Sequence, residues 1–414
     1  MLPVNRNRSP TRYYICNTTI ITSLKLIMTA YRTKYLFSAF VVIGSMLSVL
    51  PASAQFSASV RYKLNLRPDT SAHSIIDDSY SSKLLAGVSN KSVIDKANAV
   101  FETDLESELD THAGRKKVLS YLKELSANNT GESNYNQAKV KSYYKLANVF
   151  ARLHLYPLAM KCFFKAMVSK KAGSDLVPAA PDSVIADTTS RQLHLNSGLL
   201  AISANDDSVF VNTPVQLKDK KEKKSKSITY NRILNTFNDG KKAAAYALLF
   251  HVKQPKPGKP TVFVRTNTGH TFITLIKYNA DSSSVSVSFG FYPKKDNIFS
   301  ATPWEPETSG TFKNDEAHKW DEVMGKFITE RRFKRILKLT RLYDGLEYHL
   351  SKNNCTDFAL QAASYAGFGV TNSKGSWPLG QGNNPGTTGQ SIIAGGIYDN
   401  DKADLFIDFD ENLK

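Results

Sequence analysis

The sequence contains very little cysteine, and this scarcity excludes a fold held together by disulfides. Only Cys16, Cys162 and Cys355 occur among the 414 residues, and Cys16 precedes the predicted cleavage site described below. The two remaining cysteines cannot form the framework that small secreted proteins use in place of a core. A chain of this length can instead bury a hydrophobic core in each of two domains.

The spacings typical of a metal site are also lacking. Neither C-x-x-C nor H-x-x-x-H occurs in the chain, and those spacings are the usual signs of zinc coordination. A site made from His270, His349 and Cys355 would have no such motif behind it. We therefore predict neither a metal ion nor any other cofactor.

The apolar run over residues 36–50 is too short for an ordinary membrane-spanning helix, which needs about 20 residues. Basic residues precede the run and the sequence PASA follows it at residues 51–54, as in a secretory signal peptide with an A-x-A cleavage site. We predict that residues 1–54 are a signal peptide, with Met28 as an alternative start, and that the protein is periplasmic or secreted. An uncleaved membrane anchor is the alternative.

Acidic residues are outnumbered, with 37 Asp and Glu against 54 Lys and Arg, and the formal net charge is +17. Six of the basic residues lie before the predicted cleavage site, and others form the run Lys218–Lys226, which contains no aromatic residue. Such a run is typical of a solvated linker rather than of a nucleic-acid-binding surface. We predict no nucleic-acid partner, while peripheral contact with an anionic envelope surface remains open.

The pattern of elements predicts an α+β fold. We divide the mature chain into a mostly helical domain over residues 55–175, a linker with the lysine-rich run over 176–229, a second domain over 230–400 and a C-terminal tail over 401–414. Alternating or apolar segments bounded by turn residues predict strands in the second domain at Thr261–Thr266, Thr271–Tyr278 and Val285–Tyr292.

Residues 115–170 have helical periodicity and resemble a single tetratricopeptide helix pair. Seven residues fall on the key positions of that unit: Tyr143, Leu146, Ala147, Phe150, Ala159, Phe163 and Ala166. No second copy follows, and Lys171 occupies the position of the usual late proline. One unit cannot form a solenoid, so we favour a helical hairpin over a peptide-binding array, and its protein partner stays unidentified.

The most informative stretch of the sequence surrounds Cys355. Asn354 is a favourable N-cap, and Asp357 three residues later completes a capping box. This arrangement places Cys355 in the first turn of a helix, where the helix dipole favours thiolate over thiol. A nucleophile is one interpretation of Cys355, and a buried structural cysteine, as we predict for Cys162, is the other.

His270 is the histidine best placed to act as a base for such a nucleophile. It follows Gly269 at the start of a predicted strand, which is a rigid position for an imidazole. His349 lies six residues before Cys355 and is the rival, although we expect it on the strand that leads into the helix. His318 is predicted to lie in a polar helix.

A glycine and a histidine at a strand start, a hairpin, and then Asn354-Cys355-x-x-Phe358 at a helix start resemble the circularly permuted papain-like hydrolases. That group is similar to lecithin:retinol acyltransferases and to NlpC-type cell-wall peptidases. The resemblance covers about residues 253–395. It implies that Cys355 is the nucleophile, that His270 is the base and that a third polar residue orients the imidazole.

The third residue is where this sequence departs from the family's usual spacing. In relatives it lies on the strand after the histidine, but here the window opposite His270 contains no His, Asn or Gln. Tyr292 is the nearer polar candidate and Ser288 is the other. The backbone N–H of Cys355, together with the side chain of Asn354 or Asn353, is expected to form an oxyanion hole.

The resemblance predicts an exported thiol hydrolase that cleaves amide bonds, with the peptide stems of peptidoglycan as the amide substrate present in the envelope. An acyltransferase or a lipid or ester hydrolase of the same fold is the first alternative. A non-catalytic envelope protein that uses the fold as a scaffold is the second. The enzyme hypotheses require Cys355 and His270 to lie within about 3–5 Å of each other.

Overall fold

The computed structural model describes nine stretches of the chain and six single residues. The stretches are 111–127, 133–172, 182–186, 192–196, 225–264, 267–294, 304–377, 380–401 and 403–409, and the single residues are Leu109, Leu200, Asp206, Phe210, Ala301 and Thr302. The predicted signal peptide and most of the lysine-rich run lie outside these residues.

A large antiparallel sheet forms the centre of the molecule. Its strand order is β14-β8-β4-β5-β6-β7-β3, and β9 pairs with β7 beside β3. The strands are β3 (Ser227–Ile228), β4 (Ala243–Lys253), β5 (His270–Asn279), β6 (Ser284–Pro293), β7 (Glu307–Asn314), β8 (Glu322–Ile328), β9 (Glu347–His349) and β14 (Phe406–Phe409). The predicted hairpin of Thr271–Tyr278 with Val285–Tyr292 is therefore confirmed as β5 and β6.

Among the described residues, three further strand pairs lie outside this sheet, and all three are antiparallel. The strands β1 (Asp182–Ala186) and β2 (Gln192–Asn196) pair within the segment predicted as a linker. The strands β10 (Phe368–Val370) and β13 (Ile397–Asp399) form the second pair. The third consists of β11 (Lys374–Trp377) and β12 (Gly380–Asn383).

Helices cover both faces of the central sheet, which confirms the predicted α+β class. They are α1 (His112–Ala127), α2 (Ser133–Arg152), α3 (Tyr156–Ala172), α4 (Tyr230–Phe237), α5 (Glu330–Tyr343), α6 (Cys355–Ala366) and α7 (Pro385–Ile393). Because strand residues alternate between faces, Leu249 of β4 packs into the core formed with α2 and α3, while Leu248 and Phe250 pack into the core formed with α4 to α7. Burial on both faces explains why β4 carries apolar residues at successive positions from Ala243 to Phe250.

Helices α2 and α3 pack on each other and on the sheet. The seven residues at the predicted tetratricopeptide positions are all buried in this core. Phe164 of α3 lies with its ring centroid 5.9 Å from that of Phe327 in β8, and the Tyr278 hydroxyl of β5 donates to the Pro157 carbonyl at 2.8 Å. The segments predicted as two separate domains therefore share one hydrophobic core.

Three local features differ from the sequence predictions. Thr261–Thr266 was predicted to be a strand, but Thr261–Val264 form none, and Val264 makes only an isolated bridge with Asn267. Both edges of β4 and β5 are already paired, so no neighbouring strand remains for this segment. His318 lies in the turn between β7 and β8 rather than in a helix, and the predicted tail contributes β14 to the sheet edge.

The described helices were also compared with the requirements of a membrane span. None of them is long and apolar enough to cross a membrane.

Candidate active site

Cys355 is the first residue of α6, as the capping pattern predicted. The Asn354 side-chain oxygen accepts from the backbone N–H groups of Thr356 at 2.8 Å and Asp357 at 3.1 Å, and the Asp357 carboxylate accepts from the Asn354 N–H at 2.9 Å. Gly367 ends the helix in the left-handed conformation with φ 95°. The capping box therefore fixes the cysteine at the positive end of the helix dipole.

His270 is the first residue of β5, and its imidazole lies close enough to the Cys355 thiol for each group to shift the pKa of the other. The preceding Gly269 has φ +69° and lies so close to the Lys253 carbonyl that a side chain there would collide with it. The backbone N–H of Thr271 also lowers the pKa of the Cys355 thiol. Two residues 85 positions apart in the sequence thus become neighbours in the fold, as a nucleophile and its base must be.

The third member of the cluster is Asp315, which the sequence analysis missed. Its carboxylate is fully buried, and one oxygen lies 3.1 Å from His270 Nε2. The other oxygen accepts hydrogen bonds from the Tyr292 hydroxyl at 2.6 Å and the Ser225 hydroxyl at 2.8 Å. Asp315 therefore hydrogen-bonds to His270, which in turn neighbours Cys355.

The predicted third residue, Tyr292, takes a different position from the one expected. Its hydroxyl donates to Asp315 instead of to the imidazole, while its ring packs against that of His270 with 4.1 Å between centroids. Gly290 leaves the space for this arrangement, because a Cβ at that position would collide with His270 and Asp315. Ser288 is bonded to Thr274 at 2.8 Å and does not orient His270. Tyr292 thus donates a hydrogen bond to Asp315, and Asp315 in turn orients His270.

Asp315 lies outside the hairpin of β5 and β6, in which the orienting residue was predicted. Asn314, the last residue of β7, pairs with Phe289 of β6. Asp315 follows directly, so its side chain reaches His270 at the start of β5 from the second strand along, not from the neighbouring strand β6. A carboxylate directly after the third strand of an antiparallel sheet was the available signal. Including the strand after the hairpin in the search would have detected it.

The structure assigns the Asn354 side chain a capping role and leaves it no hydrogen for an oxyanion hole. Its amide nitrogen donates to the carbonyls of Leu350 at 3.0 Å and Asn383 at 2.8 Å, which uses both of its hydrogens. The Asn353 amide donates to the Glu347 carbonyl at 2.6 Å. Asn354 therefore positions the cysteine and fastens the β11–β12 hairpin beside it.

Tyr348 of β9 is a second residue that the sequence analysis missed. Tyr348 is buried, and its hydroxyl lies close enough to Cys355 for the two groups to affect each other's pKa. Burial and the neighbouring cysteine raise the pKa of this hydroxyl well above its ordinary value, so it stays protonated. It supplies an O–H donor next to the sulfur.

The electrostatics of the cluster favour a charged pair of thiolate and imidazolium. Burial alone would lower the pKa of His270, but the charge and hydrogen bond of Asp315, together with Cys355, raise it to about 9. Burial alone would raise the pKa of Cys355, but the hydrogen bond and charge of His270 and the N–H of Thr271 lower it. At Cys162, by contrast, burial dominates and raises the pKa of the thiol.

The other histidines of the described region lie outside this cluster. His349 lies on β9 as predicted, and its Nδ1 accepts from the Ser351 N–H at 3.1 Å. The His318 ring packs 5.0 Å from that of His270. Across the described stretches, no group of three or more His, Cys, Asp or Glu side chains is arranged to hold a metal ion.

The chain was compared with protein-family models, with curated proteins and with solved structures. None of the three comparisons finds a match.

Proposed function

We propose that the protein is a cysteine hydrolase similar to the circularly permuted papain-like enzymes. The observation that carries this proposal is that Cys355, at the start of a helix, lies beside His270, whose Nε2 is 3.1 Å from the buried Asp315 carboxylate. The order of the elements supports it, since the histidine strand precedes the cysteine helix. We also propose that α2 and α3 form one tetratricopeptide-like hairpin, which packs on the face of the sheet opposite to α6.

The geometry defines a role for each side chain in the reaction. The Cys355 thiolate attacks the carbonyl carbon of an amide, and the Tyr348 hydroxyl is placed to donate to the negative oxygen of the intermediate. The His270 imidazolium then gives its proton to the departing amine, which leaves a thioester on Cys355. Water, deprotonated by the now neutral His270, attacks that thioester and releases the acid. The thiolate–imidazolium pair is thereby restored.

The amide substrate that we propose is the peptide stem of peptidoglycan. The predicted signal peptide directs the chain to the envelope, where these stems are abundant amides.

Purified protein should release fragments from isolated peptidoglycan, identified by mass spectrometry, and the Cys355→Ala variant should release none. Release of fatty acid from phospholipid or ester substrates, with intact peptidoglycan, would instead support the lipid hydrolase alternative. If neither substrate forms a thioester on Cys355, the result would favour the alternative of a non-catalytic envelope protein.

The thiolate–imidazolium pair predicts that Cys355 reacts with iodoacetamide at unusually low pH. Its rate should level off at a lower pH than that of a free cysteine, whose pKa is about 8.5, because His270 stays positively charged until the pH rises through about 9. Cys162 should stay unmodified in the folded protein, because it is fully buried. Peptide mass spectrometry over a pH series measures both rates.

In the His270→Ala variant the levelling of the Cys355 rate should move to higher pH, because the thiolate loses its cationic partner. Equal modification of Cys355 and Cys162, or a pH dependence unaffected by the loss of His270, would contradict the charged pair.

Replacing Tyr292 by Phe should lower kcat/KM by about tenfold, because one of the hydrogen bonds to a charged carboxylate is lost while that of Ser225 remains. Loss of this donor should also shift the lower limb of the pH–rate profile. The matched control is Ser288→Ala on the same strand, which removes a hydroxyl bonded to Thr274. We expect nearly unchanged kinetics for the control, and equal losses in the two variants would show that Tyr292 acts only through stability.

A further inference from the structure

Helix α5 turns a strongly cationic face toward solvent. Its fourteen residues bury Phe333, Ile336 and Leu339 against the sheet, which fixes the orientation of the helix. The exposed positions carry five cations, Arg331, Lys334, Arg335, Lys338 and Arg341. The single acid among them, Glu330, pairs with Lys334 at 2.7 Å. The remaining charge on this face is therefore positive.

Apolar side chains lie among these cations. Leu342 is 63% exposed on the same face of the helix, and Leu346, just past the helix end, is 41% exposed. A groove of about 630 Å³ separates α5 from α4, and its walls include Leu234, Leu337 and Leu342 together with Lys334, Lys338 and Arg341. The combination of apolar groove and cationic side chains is that of an amphipathic surface.

We propose that this surface, defined by Lys334, Lys338, Arg341 and Leu342, binds an anionic phospholipid bilayer. The lysines and the arginine would form ion pairs with the phosphates of the lipid headgroups, and Leu342 would bury its side chain at the acyl boundary beneath them. Charge alone would suit nucleic acid equally well. The exposed Leu342, which follows Arg341 at the C-terminal end of the cationic face, favours a bilayer, because a phosphate backbone offers it no apolar contact.

The bilayer contact does not depend on the chemistry of Cys355. Each of its residues lies on α5, whose cationic face points away from the sheet core. The bilayer surface therefore adds a second binding function to the chain.

Vesicle co-sedimentation of the full chain tests the proposal. The vesicles contain equal parts of phosphatidylglycerol and phosphatidylcholine, with pure phosphatidylcholine as the neutral reference. We expect the triple variant Lys334→Glu, Lys338→Glu, Arg341→Glu to bind anionic vesicles roughly a hundredfold more weakly than the wild type. The difference should shrink as salt is added, because salt screens exposed charges.

A matched control carries the same change in net charge at another place. The triple variant Lys116→Glu, Lys117→Glu, Lys123→Glu alters three exposed lysines of α1, and we expect its affinity to fall only a few-fold. All variants keep the same N-terminal segment, so the contrast between the triples reports the contribution of α5. Thermal unfolding of each variant verifies that the fold persists.

The variant Leu342→Ser separates insertion from charge. It leaves the charge unchanged and should weaken binding to anionic vesicles by about tenfold, since a leucine loses its apolar burial. Equal losses in the two triple variants, or full binding by the α5 triple variant, would overturn the proposal. So would an α5 triple variant that loses binding to duplex DNA while its vesicle binding stays unchanged.

Discussion

Replacing Cys355 by Ser is expected to reduce hydrolysis by about ten-thousandfold or more, because removal of a nucleophile disables the whole catalytic cluster. A serine hydroxyl is far harder to ionise than a thiol, and the pairing that lowers the pKa of Cys355 would no longer yield a charged nucleophile at neutral pH. The measurement is kcat/KM for fragment release from peptidoglycan, with circular dichroism to verify the fold.

The matched control for this substitution is Cys162→Ala. Cys162 is buried in the core between the helices and the sheet, away from His270. Its replacement should cost stability through a small cavity and leave the kinetics of the folded protein nearly unchanged. Wild-type turnover in the Cys355→Ser variant would refute the assignment of the nucleophile.

Replacing Asp315 by Asn is expected to lower kcat/KM by roughly a thousandfold to ten-thousandfold, as in hydrolases whose histidine loses its carboxylate partner. The amide keeps the shape of the side chain, but it no longer stabilises the imidazolium. The pKa of His270 should therefore fall, and that of Cys355 should rise, because each group holds the charge of the other.

The pH dependence of Cys355 alkylation measures this second effect independently of substrate. In the Asp315→Asn variant the rate should level off at higher pH than in the wild type, and a merely structural role of the carboxylate would not produce that change. An unchanged alkylation profile together with kcat/KM within about fivefold of wild type would remove Asp315 from the mechanism.

Local signals in the sequence were sufficient to predict the elements that carry Cys355 and His270. The capping box at Asn354 and Asp357, and the left-handed Gly367, depend on neighbours within one or two turns. The start of β5 depends on Gly269 and on the apolar residues that follow it. These local preferences do not depend on contacts with distant segments, so the sequence alone predicts them and the folded structure retains them.

The features that the sequence did not predict depend on strand order instead. Asp315 reaches His270 only because β7 lies beside β6, and Tyr348 reaches Cys355 only because β9 pairs with β7. The segment Thr261–Val264 has a strand-like composition, but the flanking strands β4 and β5 are already paired on both sides. Pairings between distant segments are not encoded by any local pattern, so the orienting acid and the second hydroxyl became visible only in the fold.

The edges of the central sheet have a consequence for anyone who isolates the region around Cys355 and His270 as a recombinant fragment. Cutting at the boundaries suggested by composition, residues 230 and 400, would remove β3 from one edge and β14 from the other. The unpaired backbone of β7 and β8 would then be open to pairing with other copies, which is a route to aggregation. The same cut would remove Ser225, a donor to Asp315. A fragment from Ser225 through Phe409 keeps both edge strands and the full set of bonds to the acid, but it exposes the face of the sheet that α2 and α3 cover, so the intact sheet needs the chain from α2 onward.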